Sequence, residues 1–220
     1  MEQLNHHIAF FDLDQTIINQ NSGAVLARQA YKNGHLKFKS LISAIFQSYL
    51  YKFNLRDTTL IIKSMGSWVK GFPEYSLIEL SNSIVKDFLI DAIRPEIYEE
   101  IRYHKEINNE VVMLSSAIST ICTPIGVHLG MDRVICTEME VVKGILTGKP
   151  VGNYCFGKEK GVRLNAYCIA KAHSLKDVCY YGDSISDLPA LKLVGFPVCV
   201  APDKKLARVA TEKGWRICEW

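Results

Sequence analysis

Several side chains able to do chemistry stand where apolar runs stop. IAFFDLDQTI, Ile8 to Ile17, ends in Asp12 and Asp14, with Thr16 two residues further on. VVMLSSA ends in Ser115, Ser116 and Ala117, and VCYYGDSISD ends in Gly182, Asp183, Ser184 and Asp187. GKEK, upstream of that last run, supplies Lys158 and Lys160. Carboxylates crowded at one place repel one another and shift toward protonation unless a cation sits among them. A hard divalent ion solves this. Mg²⁺ suits best, because it takes one or two carboxylates and keeps its other positions for water and substrate phosphate. The ion would hold Asp12 ionised and neutralise a phosphoryl group brought against it, leaving Asp12 a competent nucleophile at phosphorus. Phosphoryl transfer asks the protein mainly for positioning and charge stabilisation. The Ser115 hydroxyl, a lysine ammonium and the backbone N–H groups after Asp12 and Ser115 can take the phosphoryl oxygens. Asp14, two residues from Asp12, shares its face of the strand and can serve the leaving oxygen as acid and then water as base.

The elements that must position these groups follow from the apolar patterning. Ile8–Leu13, Val111–Leu114, Val178–Tyr181 and Val198–Val200 are continuous apolar runs, with Arg216–Cys218 a fifth, as expected for parallel strands buried on both faces. Helical patterns over Pro95–Ile107, Ser119–Leu129, Lys160–His173 and Ser186–Val194 alternate with them. This predicts a doubly wound, Rossmann-like α/β core, whose ligand crevice lies at the carboxyl ends of the strands, where the polar residues above are found. Two segments interrupt the alternation. From Ile17 to about Asp91 apolar residues recur at helical spacing, in Val25–Tyr31, Leu41–Leu50, Thr58–Val69 and Leu77–Ile90, which predicts an all-helical insertion. VICTEMEV and GILTGK flank Lys143-Gly144 and predict a small β-hairpin. The division expected is therefore a core of residues 1–16 and 92–220 and a helical cap of residues 17–91.

Composition excludes several classes. With 48% hydrophobic and 22% charged residues, the 220-residue chain is neither disordered nor dominated by one charge, and a net +3 gives no reason to expect nucleic acid. No apolar run reaches the roughly 18 to 20 residues that cross a bilayer, so a cytoplasmic protein without a transmembrane segment is expected. The seven cysteines show no CxxC spacing and read as reduced, buried thiols. His35, His104, His128 and His173 lack ligand spacing and read as isolated surface or half-buried residues, and His6 and His7 as a frayed terminus. Charge is uneven. Between Ile17 and Pro73 eight basic residues (Arg28, Lys32, Lys37, Lys39, Lys52, Arg56, Lys63 and Lys70) face the single acid Asp57, so the remainder is net acidic. Beyond a solvated face, such a basic cap would steer an anionic substrate and suit peripheral contact with an anionic membrane.

FDLDQT, LSSA, GKEK and YGDSISD, in that order over the whole chain, resemble the four motifs of the haloacid dehalogenase superfamily. The insertion after the first strand and the later hairpin resemble its phosphoserine-phosphatase-like branch, and CFGKEKGVRL with YGDSISDLPALKLVGF looks most like the subfamily IB hydrolases. The resemblance implies a phosphoric monoester hydrolase acting on a small organic phosphate through an aspartyl-phosphate. Asp12 would be nucleophile and Asp14 acid/base. Mg²⁺ would be held by Asp12, the backbone carbonyl of Asp14 and Asp183, with Asp187 as a further ligand or support. Thr16, Ser115, Ser116 and a lysine would bind substrate. The family spacing puts that lysine at Lys160, with Lys158 the alternative. Phosphoserine phosphatases carry a glutamate where TIINQNSG has Asn21, and two glycines where this chain has Ser116-Ala117, which weakens phosphoserine as the substrate. A phosphotransferase, a phosphatase of lipid phosphates such as phosphatidylglycerophosphate and a non-enzymatic binding protein on the same fold are the competing readings.

Overall fold

The computed structural model describes residues 8–34 and 67–220. Six parallel strands form the sheet in the order β3-β2-β1-β6-β7-β8, comprising β1 (Ile8–Phe11), β2 (Glu110–Ile118), β3 (Arg133–Thr137), β6 (Val178–Gly182), β7 (Phe196–Val200) and β8 (Arg216–Cys218). Side chains alternate between faces along a strand, and each face carries its own core. Ala9, Phe11, Val111, Met113 and Tyr181 join one apolar cluster, whereas Ile8, Phe10, Val112, Leu114 and Tyr180 join the other. A strand covered on both sides needs apolar residues at every position, which is why IAFF shows no alternation and all four residues are fully buried.

Among the described residues the α-helices are α1 (Ser22–Lys32), α2 (Glu74–Ile84), α3 (Pro95–Glu106), α4 (Ser119–His128), α5 (Lys158–Ala170), α6 (Leu188–Leu191) and α7 (Lys204–Lys213). Pro95 opens α3, where a missing N–H costs nothing. Helix α7 was not foreseen. Its signal is Asp203, whose carboxylate caps Lys205 and Leu206 N–H at 2.8 and 2.9 Å, with Leu206 and Ala210 buried one turn apart. After α2 the chain makes a wider helical turn over Val85–Leu89, with Ile90 N–H donating to Val85 O.

Two expectations need correction. VICTEMEV is not one arm of a hairpin: Arg133–Thr137 pairs in parallel with β2, and only Met139–Val142 (β4) pairs antiparallel with Ile145–Pro150 (β5). The apolar Val134-Ile135-Cys136 stretch completes the sheet edge, while Lys143 and Gly144, at φ 51° and 76°, supply the left-handed pair that a two-residue hairpin turn requires. His104 is neither isolated nor exposed. It is buried, with Nδ1 facing the Asn109 amide at 2.9 Å and Nε2 facing the Tyr181 hydroxyl at 2.9 Å.

Residues 17–19 and 92–94 are tied together: Asn19 N–H donates to Ala92 O and Arg94 N–H to Ile17 O, both at 2.9 Å. Val25–Tyr31 and Leu77–Ile84 are helical as expected, whereas Leu41–Leu50 and most of Thr58–Val69 lie outside the described residues, as do Lys37, Lys39, Lys52, Arg56 and Lys63. Among the described residues no helix is long and apolar enough to cross a membrane, and all seven cysteines are unbridged and buried.

Candidate active site

Strand β1 has β2 on one side and β6 on the other, so the chain order reverses at β1 and a crevice opens beyond the carboxyl ends of these three strands. Phe11 is in register with Met113 and with Tyr181, which sets Asp12 beside Leu114 and Gly182 and brings Ser115 and Asp183 to the next level. Asp12 N–H continues the ladder to Tyr181 O at 3.0 Å. Beyond it Gln15 takes a positive φ of 64°, turning the chain so that Thr16 N–H and Ile18 N–H both return to Leu13 O.

Lys160 decides how the site is built. Helix α5 begins at Lys158, two residues earlier than its sequence pattern suggests, which leaves Lys158 exposed and turns Lys160 inward to 1% exposure. The Lys160 ammonium lies 2.8 Å from Asp12 Oδ1 and 2.7 Å from Asp187 Oδ1. Asp187 accepts four hydrogen bonds. Oδ1 takes Lys160 and the Tyr180 hydroxyl at 2.8 Å, and Oδ2 takes Ser184 N–H at 3.2 Å and the Ser184 hydroxyl at 3.0 Å. Asp187 is thereby saturated with protein donors. Asp183 completes the group, since ligand oxygens of Asp12, Asp183 and Asp187 lie within 4.8 Å of one another.

The loop that carries Asp183 and Asp187 is braced from the next strand: Asp203 N–H donates to Asp183 O and Asp203 Oδ2 accepts Ile185 N–H, both at 2.8 Å. Gly182 lets this loop close on the sheet, because a Cβ there would lie 2.9 Å from Asp187 Cβ and Cγ and from Tyr180 Cε1. Gly182→Ala is therefore expected to lower stability by about 1–3 kcal/mol, measured by urea unfolding.

Asp14, Ser116, Lys160, Asp183 and Ser184 share with Asp12, Gln15, Asn21 and Ser186 the lining of a cavity of about 40 Å³. Asp14 Oδ1 accepts Ser22 N–H at 3.0 Å, which ties this carboxylate to the first turn of α1. Asn21 caps that helix, accepting Ala24 N–H at 2.8 Å. Ser115 and Thr16 are not brought to the cavity wall. Ser115 is fully buried, and its hydroxyl oxygen accepts Ala117 N–H at 3.2 Å; Thr16 is fully buried and its hydroxyl has no hydrogen-bond partner among the described residues. The ladder between β2 and β3 shifts between Leu114 and Ile118, and Ser116 lies in that irregular stretch, its carbonyl held by the Thr137 hydroxyl at 2.9 Å. A cavity of about 820 Å³ lies elsewhere, lined by Lys192, Phe196, Lys213 and Trp215, and contains none of these acids. Sequence patterning missed Tyr180 and Asp203, both of which act on the acidic loop through hydrogen bonds that only the fold creates.

Burial pushes the Asp12 carboxyl up to about 7, against the pull of the Lys160 ammonium, and the neighbouring Asp187 and Asp14 add to the rise. Lys160 is held well above its ordinary value: Asp12 and Asp187 outweigh the burial that opposes its charge. Burial first, and Asp187 second, keep the Tyr180 phenol well above its ordinary value, so it remains a donor. Among the described residues the Lys160 ammonium pairs with Asp12 and Asp187, and Asp183 places a third carboxylate beside them. The donor set fits a hard divalent cation.

A family model for haloacid dehalogenase-like hydrolases matches residues 9–192. The chain belongs to this family. It is 30% identical over 217 residues to a Streptomyces azureus protein named for inhibition of morphological differentiation, covering 96% of this chain and 78% of the relative. It is 28% identical to a histidinol-phosphatase of Neisseria meningitidis serogroup C, covering 96% and 97% of the two chains. The solved structure of a substrate-bound phosphoserine phosphatase shares the fold of this haloacid dehalogenase-like phosphatase with a TM-score of 0.76 at 18% identity, covering 97% and 93%.

Proposed function

We propose that the protein is a Mg²⁺-dependent phosphomonoesterase that forms an aspartyl-phosphate on Asp12 and acts on a small organic phosphate, with residues 17–91 serving as a cap on the α/β core. The observation that carries this reading is the buried Lys160 ammonium held between Asp12 and Asp187, with Asp183 beside them, at the carboxyl end of the sheet. Asp12, the Asp14 carbonyl and Asp183 would hold Mg²⁺, whose chemistry is to neutralise the phosphoryl oxygens and keep Asp12 ionised. Asp187, already accepting four hydrogen bonds, supports Lys160 rather than offering the ion a free oxygen.

Asp12 attacks phosphorus as the ester P–O bond breaks, and Asp14 gives its proton to the departing oxygen. Asp14 then takes a proton from water, the water oxygen bonds to phosphorus, and the bond to Asp12 breaks to release inorganic phosphate. Lys160 and Ser116, both on the cavity wall, compensate charge on the phosphoryl oxygens. The neutral Asn21 side chain offers no counter-charge to a substrate ammonium, which supports a substrate other than phosphoserine.

Phosphate release from a panel of phosphoserine, histidinol phosphate, phosphocholine, phosphatidylglycerophosphate, sugar phosphates and nucleotides, with and without Mg²⁺, tests the proposal. Release from none of them would remove it. Chelation should silence the enzyme, and the pH dependence has a definite sign. Because the metal-free Asp12 carboxyl binds a proton below about 7, metal and proton compete there. The half-activating Mg²⁺ concentration is expected to rise as pH falls from 8 to 6, measured by titrating Mg²⁺ at each pH.

A further inference from the structure

We propose that Tyr180 is a positioning residue of this site, its buried hydroxyl fixing the Asp187 oxygen that holds Lys160 against Asp12. Tyr180 lies in β6 and is fully buried. Its hydroxyl donates at 2.8 Å to Asp187 Oδ1, the same oxygen that takes Lys160 Nζ at 2.7 Å, and Nζ reaches Asp12 Oδ1 at 2.8 Å. The contacts form one line from the interior of the sheet to the nucleophile. Each link constrains the next.

A lysine ammonium is a point charge on a flexible four-carbon stem and has no preferred direction of its own, so its position is set by the groups that accept from it. Two of its three protons go to Asp12 and Asp187, which leaves one for an oxygen in the cavity that Lys160 lines. That division holds only while Asp187 Oδ1 stays where it is. Ser184 anchors the other oxygen, Oδ2, and Ser184 sits on the same loop as Asp187 and moves with it. The Tyr180 hydroxyl comes from a strand of the sheet and supplies an anchor outside the loop. The neighbouring Tyr181 faces the opposite side, where its hydroxyl donates to Glu100 at 2.8 Å, so of the adjacent pair only Tyr180 addresses the site.

Tyr180→Phe keeps the ring and removes only the hydroxyl. Its control is Tyr167→Phe, which removes a hydroxyl bonded to Glu110, away from the acidic cluster, and is expected to leave kcat unchanged. With p-nitrophenyl phosphate and saturating Mg²⁺, Tyr180→Phe is expected to lower kcat per folded molecule about tenfold, the scale of a lost hydrogen bond to a charged group, with KM within about twofold. In an Asp187→Asn background the same change should add less than about twofold, because Tyr180 acts through that carboxylate. A kcat within twofold of wild type, or an undiminished tenfold loss beside Asn at 187, overturns the proposal. The kinetic test rests on the hydrolytic reading above, which fails separately if the wild type hydrolyses no phosphomonoester. In that event the crystal structure of Tyr180→Phe decides: displacement of Lys160 from Asp12 or Asp187 supports the positioning role, and unmoved side chains refute it.

Discussion

Asp12→Asn is expected to reduce turnover by at least about 10⁴-fold, the scale on which removal of a catalytic nucleophile is felt, while leaving the metal-free fold at least as stable as the wild type. An amide has the same shape but no negative charge, so its oxygen is a far weaker nucleophile toward phosphorus. The stability half of the prediction follows from burial. The Asp12 carboxyl has its value raised from 3.8 to about 7, so between those limits the folded protein binds a proton that the unfolded chain has released. Folding is therefore favoured at the acid end of the window, and that advantage is lost as pH rises through 7. Asparagine has no proton to lose and escapes the penalty. Thermal unfolding with chelator should show the variant gaining on wild type at pH 8 and less so at pH 5.5. Wild-type-like hydrolysis of an aryl phosphate by Asp12→Asn would sink the mechanism.

The parts of this molecule that were legible in the sequence are those governed by local rules. An apolar run with no alternation means a strand covered on both faces, and four such runs located β1, β2, β6 and β7. Polar residues at their ends announced the crevice, and the structure gathers Asp12, Asp14, Ser116, Lys160, Asp183 and Asp187 around it. What was not legible depends on partners distant in the chain. The strand Arg133–Thr137 reads locally as a hairpin arm, and only its pairing with β2 assigns it to the sheet. Ser115 and Ser116 are chemically identical in sequence, yet Ser116 lines the cavity while Ser115 is fully buried. Tyr180 carries no sign in VCYYGDS that it bonds Asp187, because that contact is made by the turn that brings the loop back over its own strand.

Lys160→Met should be nearly as damaging to activity as Asp12→Asn, and unlike it should also damage the fold. The ammonium is 1% exposed and pairs with carboxylates that are 5% and 0% exposed. Methionine fills much of the volume but leaves two buried acids facing each other with no cation, and stranding a buried charge in this way costs about 3–5 kcal/mol. Activity is expected to fall about 10³-fold, since both the group that orients Asp12 and a donor for the phosphoryl oxygens disappear together. Lys158→Met provides the contrast. Only two residues away, Lys158 is exposed at the start of α5, and its replacement is expected to change stability by less than about 0.5 kcal/mol and kcat by less than twofold. Urea unfolding and phosphate release on the two variants separate the lysines. Equal losses at both positions would mean that the α5 register does not select Lys160. The destabilisation should also shrink as pH falls, because protonation of Asp12, which sets in at higher pH once the pull of the lysine is gone, removes one of the stranded charges, and Mg²⁺ should restore part of the stability by supplying the positive charge that methionine cannot.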